Sequence, residues 1–530
     1  MHKRYNFTRL RWNPFPSDRP FLYRCRYGRL VVLAITSLFI MVAIAYSWHS
    51  PIAAQLPPAP ARITGPYCHF TETAVAEKAT LRQAAFSGDP NAQQQYAAIV
   101  QNHGTELQTC RSRTWPSNQA IWLRLYPCDA LAGGLDQIFD EIVDRGYNQV
   151  YVEAFYNGQV LLPQADNDTV WTSVMRQPGY ENRDLLAEAI AKGHERGLKV
   201  YAWMFAMNFG HIYANRADRQ QSLAVNGYGQ TSLSMYEAAS LDPNLSYTPP
   251  DSVFVDPYDR QAQLDFYTMS QKILARRPDG VLFDYIRYPI GIGENLVANQ
   301  VQDLWIYGNA SRTALLNRAL NPAGRQLIQT FLANGSISTA DVTALTEEPL
   351  WQGRSIPTDQ SDPPGGEVPV AERRNQLQAE LWTLAVAHAT QGVLDFLNVA
   401  ALSAERQRIP AGAVFFPEAN RTLLDGFDSR LQPWNRFPST LEFHPMSYGV
   451  CGNVSCITSL VQRVMEQAPA GTNVRPVLAG TWGQAMSDRP SLEAQMQDIR
   501  RVYPQIDTIS HFAYSWQHPE RNQERQFCQL

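Results

Sequence analysis

The sequence has no Walker-type phosphate loop, no HExxH and no GxSxG, so the commonest local signatures of nucleotide, zinc and serine hydrolases are missing. "GIGENL" at 291–296 follows an apolar stretch, but it lacks the third glycine and the downstream acid of a dinucleotide site. A basic surface is missing too. The chain carries a net charge of −4, yet residues 1–29 hold eight Lys/Arg against the single acid Asp18, a net +7 that leaves −11 for the rest. That balance argues against a nucleic-acid partner. The "CGNVSC" pair at 451 and 456 has no accompanying histidine pair, which makes a zinc site the weaker reading, and no metal or cofactor is expected.

What is present is apolar material, 45% of 530 residues, enough for one large core with appendages or for two domains. Residues 30–48, "LVVLAITSLFIMVAIAYSW", contain no charge, and their length lies at the short end of what crosses a bilayer as a helix. The basic residues all precede it, which by the positive-inside rule places 1–29 as a cytoplasmic tail and everything after Trp48 outside. The expectation is a single-pass signal anchor over 30–48 with the C-terminal domain periplasmic or extracellular. A cleaved signal peptide, giving a secreted protein, is the alternative. Residues 49–62, rich in Pro and Ala, read as a linker. Beyond the anchor lie six cysteines, 68, 110, 128, 451, 456 and 528. An exported chain can form three disulfides from them by any of 15 pairings, of which Cys451 with Cys456 closes the shortest loop.

Residues 63–117 read as a small helical extension bracketed by Cys68 and Cys110. From 118 to 530 a unit recurs in kind. "IWLRLYP" precedes the amphipathic "LDQIFDEIVDRG", "QVYVEAFYNG" precedes "DLLAEAIAKGHERG", and "LKVYAWMF" follows, with Gly146 and Gly197 at the helix stops. Further strands are expected at "GVLFDY", "AGAVFFP", "TLEFHPM", "VRPVLAG" and "DTISHFAYSW", eight in all. Continuous apolar strands alternating with helices predict an α/β fold, a (β/α)8 TIM barrel with an insertion at about 290–372 that should wall one side of a cleft. Little helix is expected at 418–439, and only a short one after Trp516.

"VDPYDRQAQLDFYTMSQKILARRPDGVLFDYIRYP" together with "IWLRL" resembles the family-ten-like glycosyl hydrolases, exported glycosyl-hydrolase-like TIM-barrel proteins. The family's first-strand motif is matched by Ala120 to Leu123, its "DP" by Asp256 and Pro257, and its "DG(I/V)xFD(D/Y)…YP" by Asp279 to Asp284 with Tyr288 and Pro289. "HERGLKVYAWMF" and "FHPMSYG" are similar to its third and sixth strands. The resemblance spans roughly 118–516, with a longer insertion after the fourth strand and no match at "FFPEANR".

The resemblance implies a glycoside hydrolase acting on a polysaccharide or oligosaccharide, and the C-terminal ends of barrel strands are where its active face would lie. Asp284, directly after "GVLF", is expected there as nucleophile, unless Arg287 holds it in a structural ion pair. Glu418, after the next strand, is the expected acid/base, with Glu153 and Glu442 as rivals. Substrate-assisted cleavage of an amino sugar is a third possibility. Asp256 is expected to cap the helix after it. Trp203, Tyr285, Tyr448, Trp482 and Trp516 are candidate sugar platforms, and Glu153, Asn208, His211, Arg287 and His444 candidate hydroxyl readers. A non-catalytic carbohydrate-binding barrel is the alternative function.

Overall fold

The computed structural model describes residues 62–240, 252–354, 368–423, 426–528 and 530. The expected basic tail, anchor and linker, Arg62 excepted, lie outside the described residues. Among those described, no helix is long and apolar enough to cross a membrane.

Nine parallel strands form the main sheet: β1 Asn118–Leu123, β2 Gln149–Tyr156, β3 Lys199–Phe205, β4 Gly280–Asp284, β5 Ala411–Phe415, β6 Glu442–Pro445, β7 Asn473–Val474, β8 Val477–Ala479 and β9 Thr508–Phe512. Their order is β7-β6-β5-β4-β3-β2-β1-β9-β8. The single expected strand "VRPVLAG" is two strands because Pro476 has no N–H to give to a ladder. β7 pairs with β6 and β8 with β9. The sheet therefore curls until both ends of its path fall in residues 473–479. Hydrogen bonds leave that stretch on both sides, from Arg475 N to Phe443 O at 2.7 Å and from Ser510 N to Pro476 O at 3.0 Å.

The connecting helices carry the apolar faces that cover this sheet. In α3, Gly134–Asp144, residues Leu135, Ile138, Phe139 and Ile142 share the buried stripe. In α4, Leu185–Glu195, Asp184 caps the start by accepting from Ala187 N. Gly146 and Gly197 both have positive φ at the ends of these helices, as expected of a left-handed stop. α5 is Arg260–Leu274 and α6, Val370–Gln407, is the 38-residue return from β4 to β5. The β5 to β6 return holds a hairpin and one short 3-10 turn, in keeping with the low helix content expected there. α7 Ser455–Gln467, α8 Leu492–Val502 and the short α9 Pro519–Phe527 complete the series.

The helical extension is α1 Glu72–Phe86 and α2 Pro90–Arg111, after a small hairpin. It docks through buried charge: Lys78 reaches Asp144 at 2.6 Å, while Tyr96 and Arg196 converge on Asp140 at 2.9 and 3.0 Å. The six cysteines pair as Cys68–Cys110, Cys128–Cys528 and Cys451–Cys456.

Two expectations change. Asp256 is not the cap of α5: that is Asp259, whose Oδ1 accepts from Ala262 N at 2.8 Å. Asp256 is buried and instead accepts from Tyr258 N and from Ser311 N of the insertion. The insertion's described helices pack on α6, and none of the described cleft-bounding residues comes from 290–372.

Candidate active site

The motif "DGVLFD" divides its work along β4. At the strand's entry, Asp279 Oδ2 accepts from Val200 N at 2.7 Å and lies 2.8 Å from His194 Nε2, fixing register with β3. Gly280 is required by packing, since a Cβ there would come within 2.3 Å of the Tyr201 ring. Val281, Leu282 and Phe283 are fully buried. Asp284 then sits opposite Phe205 at the carboxyl edge of the sheet, its carbonyl accepting from Ala206 N at 2.7 Å. Beyond it Tyr285 takes φ +54, a left-handed conformation uncommon for an aromatic residue and concentrated at functional sites.

Both Asp284 oxygens are held. Oδ1 accepts from Tyr285 N at 2.6 Å and Oδ2 from the indole Nε1 of Trp203 at 3.2 Å. The side chain is 7% exposed. Burial is the largest influence and pushes its pKa up to about 6. The Tyr285 amide, the Arg287 charge and the Trp203 bond pull the other way, and the Glu153 charge adds to the rise. Arg287 does not form an ion pair with Asp284; its Nη1 donates to the Tyr288 carbonyl at 2.8 Å.

Asp284 borders a cleft of about 240 Å³ at the strand ends, with Trp203, Tyr285, Arg287, Tyr448 and Phe512 on its walls. A second hollow of about 170 Å³ shares Trp122, Arg124, Trp203 and Phe512 with it and is bordered by Glu153. The two hollows adjoin across these four side chains and together make up one groove. Three larger hollows lie elsewhere: about 410 Å³ between the helical extension and α3 and α4, about 310 Å³ between α6 and the β5 to β6 return, and about 600 Å³ at the opposite, amino ends of β5 and β6.

Glu153 is fully buried on β2 and gripped at both oxygens by Arg124, Nε to Oε2 at 2.5 Å and Nη2 to Oε1 at 3.1 Å. Burial raises the Glu153 pKa, and Arg124 opposes that rise while its own is raised by the carboxylate. A bidentate guanidinium favours the ionised acid. The groove thus holds a carboxyl group whose pKa burial pushes up to about 6 and a second one bound to an arginine, between aromatic walls.

The other expected residues fall in different places. Glu418 lies past Pro417 in the loop beyond β5, where its charge acts on Arg463 of α7, and it is not among the described residues bordering the groove. Glu442, at the opposite end of β6, is satisfied by Arg475 at 2.8 Å and Tyr201 at 3.3 Å. His444 is buried in the sheet interior, 3.4 Å from Glu442, with Tyr151 and Trp122 rings around it. Asn208 Oδ1 accepts from the amides of Gly210 and Val253 at 3.3 and 2.9 Å. His211 begins the second residue of a short helix, Gly210–Ala214, outside the described groove lining. Trp482 turns outward, donating to Tyr147 OH at 3.0 Å and packing on His69 and Tyr67 of the extension. Trp516 is partly exposed beside Phe512, under Arg489.

Arg124, Phe416, Phe512 and Asn522 border the groove without having been expected there. Arg124 had a readable signal: it is the lone charge of "IWLRLYP" as Glu153 is of "VYVEAF", and Leu123 pairs with Val152 one residue earlier.

No family model matches this chain, and no curated protein matches it in sequence. The likeness to family-ten-like glycosyl hydrolases therefore stays one of motifs. Among solved structures, the fold is similar to the PgaB (BpsB) glycoside hydrolase domain from Bordetella bronchiseptica, at 13% identity and TM-score 0.43 over 78% of this chain and 99% of that one. It is also similar to a GH18 chitinase from Pseudoalteromonas aurantia, at 10% and 0.33 over 76% and 96%. A beta-N-acetylhexosaminidase from Bacteroides fragilis is similar at 8% and 0.36 over 75% and 61%.

Proposed function

We propose that this protein is an exported glycoside hydrolase acting on a polysaccharide of the cell envelope or its surroundings, with Asp284 as the proton-carrying group. The observation that carries the reading is the placement of Asp284: buried, at the carboxyl end of β4, on an aromatic-walled groove, with a pKa pushed up to about 6. Glycosidic cleavage needs a carboxylic acid to protonate the departing oxygen and raised acids serve that role. This replaces the nucleophile role expected from sequence, because a nucleophile must be ionised and burial works against that form. Glu153, held at both oxygens by Arg124, borders the adjoining hollow, so the pair presents a fixed dipole beside the proposed acid.

The reading treats 473–479 as one strand interrupted at Pro476, so that eight strands close into a (β/α)8 barrel with the groove at its mouth. Export is supported by the pairing of all six cysteines beyond residue 48. Membrane attachment through 30–48 belongs to the same proposal. The deciding experiment is hydrolysis of a panel of envelope and extracellular polysaccharides by the full-length chain and by Asp284→Asn. Loss of cleavage with binding kept supports the hydrolase. Binding without cleavage by the unaltered chain favours a carbohydrate-binding protein instead.

A further inference from the structure

Arg287 is 8% exposed, lines the groove beside Asp284, and has no ion-pair partner among the described residues. A buried guanidinium is costly unless its five donors and its charge are met. Two other deeply buried arginines have their charge met by carboxylates. Arg196 pairs with Asp136 and Asp140, and Arg525 with Asp129. Arg111 spends its donors on the carbonyls of Gly146, Pro116 and Tyr67, away from the groove. Arg287 has one carbonyl bond, to Tyr288, and three aromatic rings around it: Tyr285 at 4.8 Å, Phe254 at 5.3 Å and Phe416 at 5.7 Å. Aromatic faces hold a cation in place without neutralising it. The neighbouring Arg430 is a second cation, and its own counter-ion Asp428 is taken up by it at 2.6 and 2.7 Å.

We propose that Arg287 receives an oxyanion carried on the sugar, a ring carboxylate or a sulfate ester, so that the substrate of this groove is an acidic glycan. The inference rests on the glycosidase reading and narrows it. A guanidinium fork matches a planar carboxylate or two sulfate oxygens by paired hydrogen bonds. Trp203, Phe512 and Tyr448, on the same walls, supply the apolar surface against which the ring carrying that anion lies. The rest of the chain after residue 29 is net acidic, so attraction for an acidic glycan has to be local, and Arg287 provides it next to the proposed acid.

The test is binding of length-matched oligogalacturonates, sulfated carrageenan oligosaccharides and neutral cello- and chito-oligosaccharides to the full-length chain by calorimetry, with cleavage followed in parallel. One acidic series should bind roughly 10- to 100-fold more tightly than the neutral ones, and which series it is separates carboxylate from sulfate. In Arg287→Met the ratio of acidic to neutral affinity should fall toward one. Should that variant not fold, the salt dependence of the unaltered protein decides, because acidic ligands alone should weaken with added salt. Neutral ligands bound as tightly as acidic ones would overturn this inference and leave the hydrolase reading standing. If no oligosaccharide of any class is bound or cleaved, both fall.

Discussion

The indole of Trp203 donates to the carboxylate of Asp284 across neighbouring strands, Nε1 to Oδ2 at 3.2 Å, and the same side chain borders both hollows of the groove. One side chain thus orients the proposed acid and shapes the space in front of it. Replacing Trp203 with Phe removes a bond that lowers the Asp284 pKa, so the alkaline fall of kcat/KM should move to higher pH. An unmoved limb would show that the bond does not tune the acid.

Asp284 itself should be indispensable to cleavage. Asp284→Asn is expected to lose roughly 10²- to 10⁴-fold in kcat, the range typical of removing a general acid. In the unaltered protein kcat/KM should fall above about pH 6, where the carboxyl group loses its proton. Steady-state rates between pH 4 and 8 check this, and a rate that climbs through that range would assign Asp284 the nucleophile role.

Stability should report the same buried group. Its folded pKa of about 6 exceeds the ordinary 3.8, so the folded chain holds a proton that the unfolded chain has released between those values. The contribution is fully present below pH 3.8 and is lost as pH rises through 6. Asp284→Asn escapes this loss. Relative to the unaltered protein it should gain up to about 3 kcal/mol between pH 4 and pH 7. Urea unfolding at the two pH values measures it, and a difference that does not change with pH would contradict the burial argument. Asp256, also raised to about 6 by burial, adds the same slope to both proteins.

The Arg124–Glu153 pair should be unequal in its failures. Arg124→Met strands an anion that is fully buried and should cost about 3–5 kcal/mol. Replacing both partners, Arg124→Met with Glu153→Leu, should cost much less, since no unpaired charge remains. Chemical denaturation of the two variants compares them directly.

Packing at the motif's glycine is testable alone. Gly280→Ala puts a Cβ against the Tyr201 ring and should destabilise by about 1–3 kcal/mol through overpacking. A Tm equal to that of the unaltered protein would mean that the ring has room to shift.

The order of strands and helices, the left-handed stops at Gly146 and Gly197, and the position of Asp284 at the end of an apolar strand are readable from sequence, because each depends on residues within a few positions of one another. Short range is also why Cys451–Cys456 is the pairing to expect, while Cys128 finds Cys528 at a sequence separation of 400. The partner of Asp284 could not be read in this way. Glu418 follows its strand as Asp284 does, yet the chain beyond Pro417 carries it toward Arg463 on the outer helices, whereas Glu153, within a strand, borders the groove. By itself the sequence determined the alternating architecture and the edge at which the acid emerges, since periodicity is local. Only the tertiary structure decided which charges share the groove and that its Arg287 has no carboxylate partner among the described residues, because register and loop direction bring together side chains that are far apart in the chain.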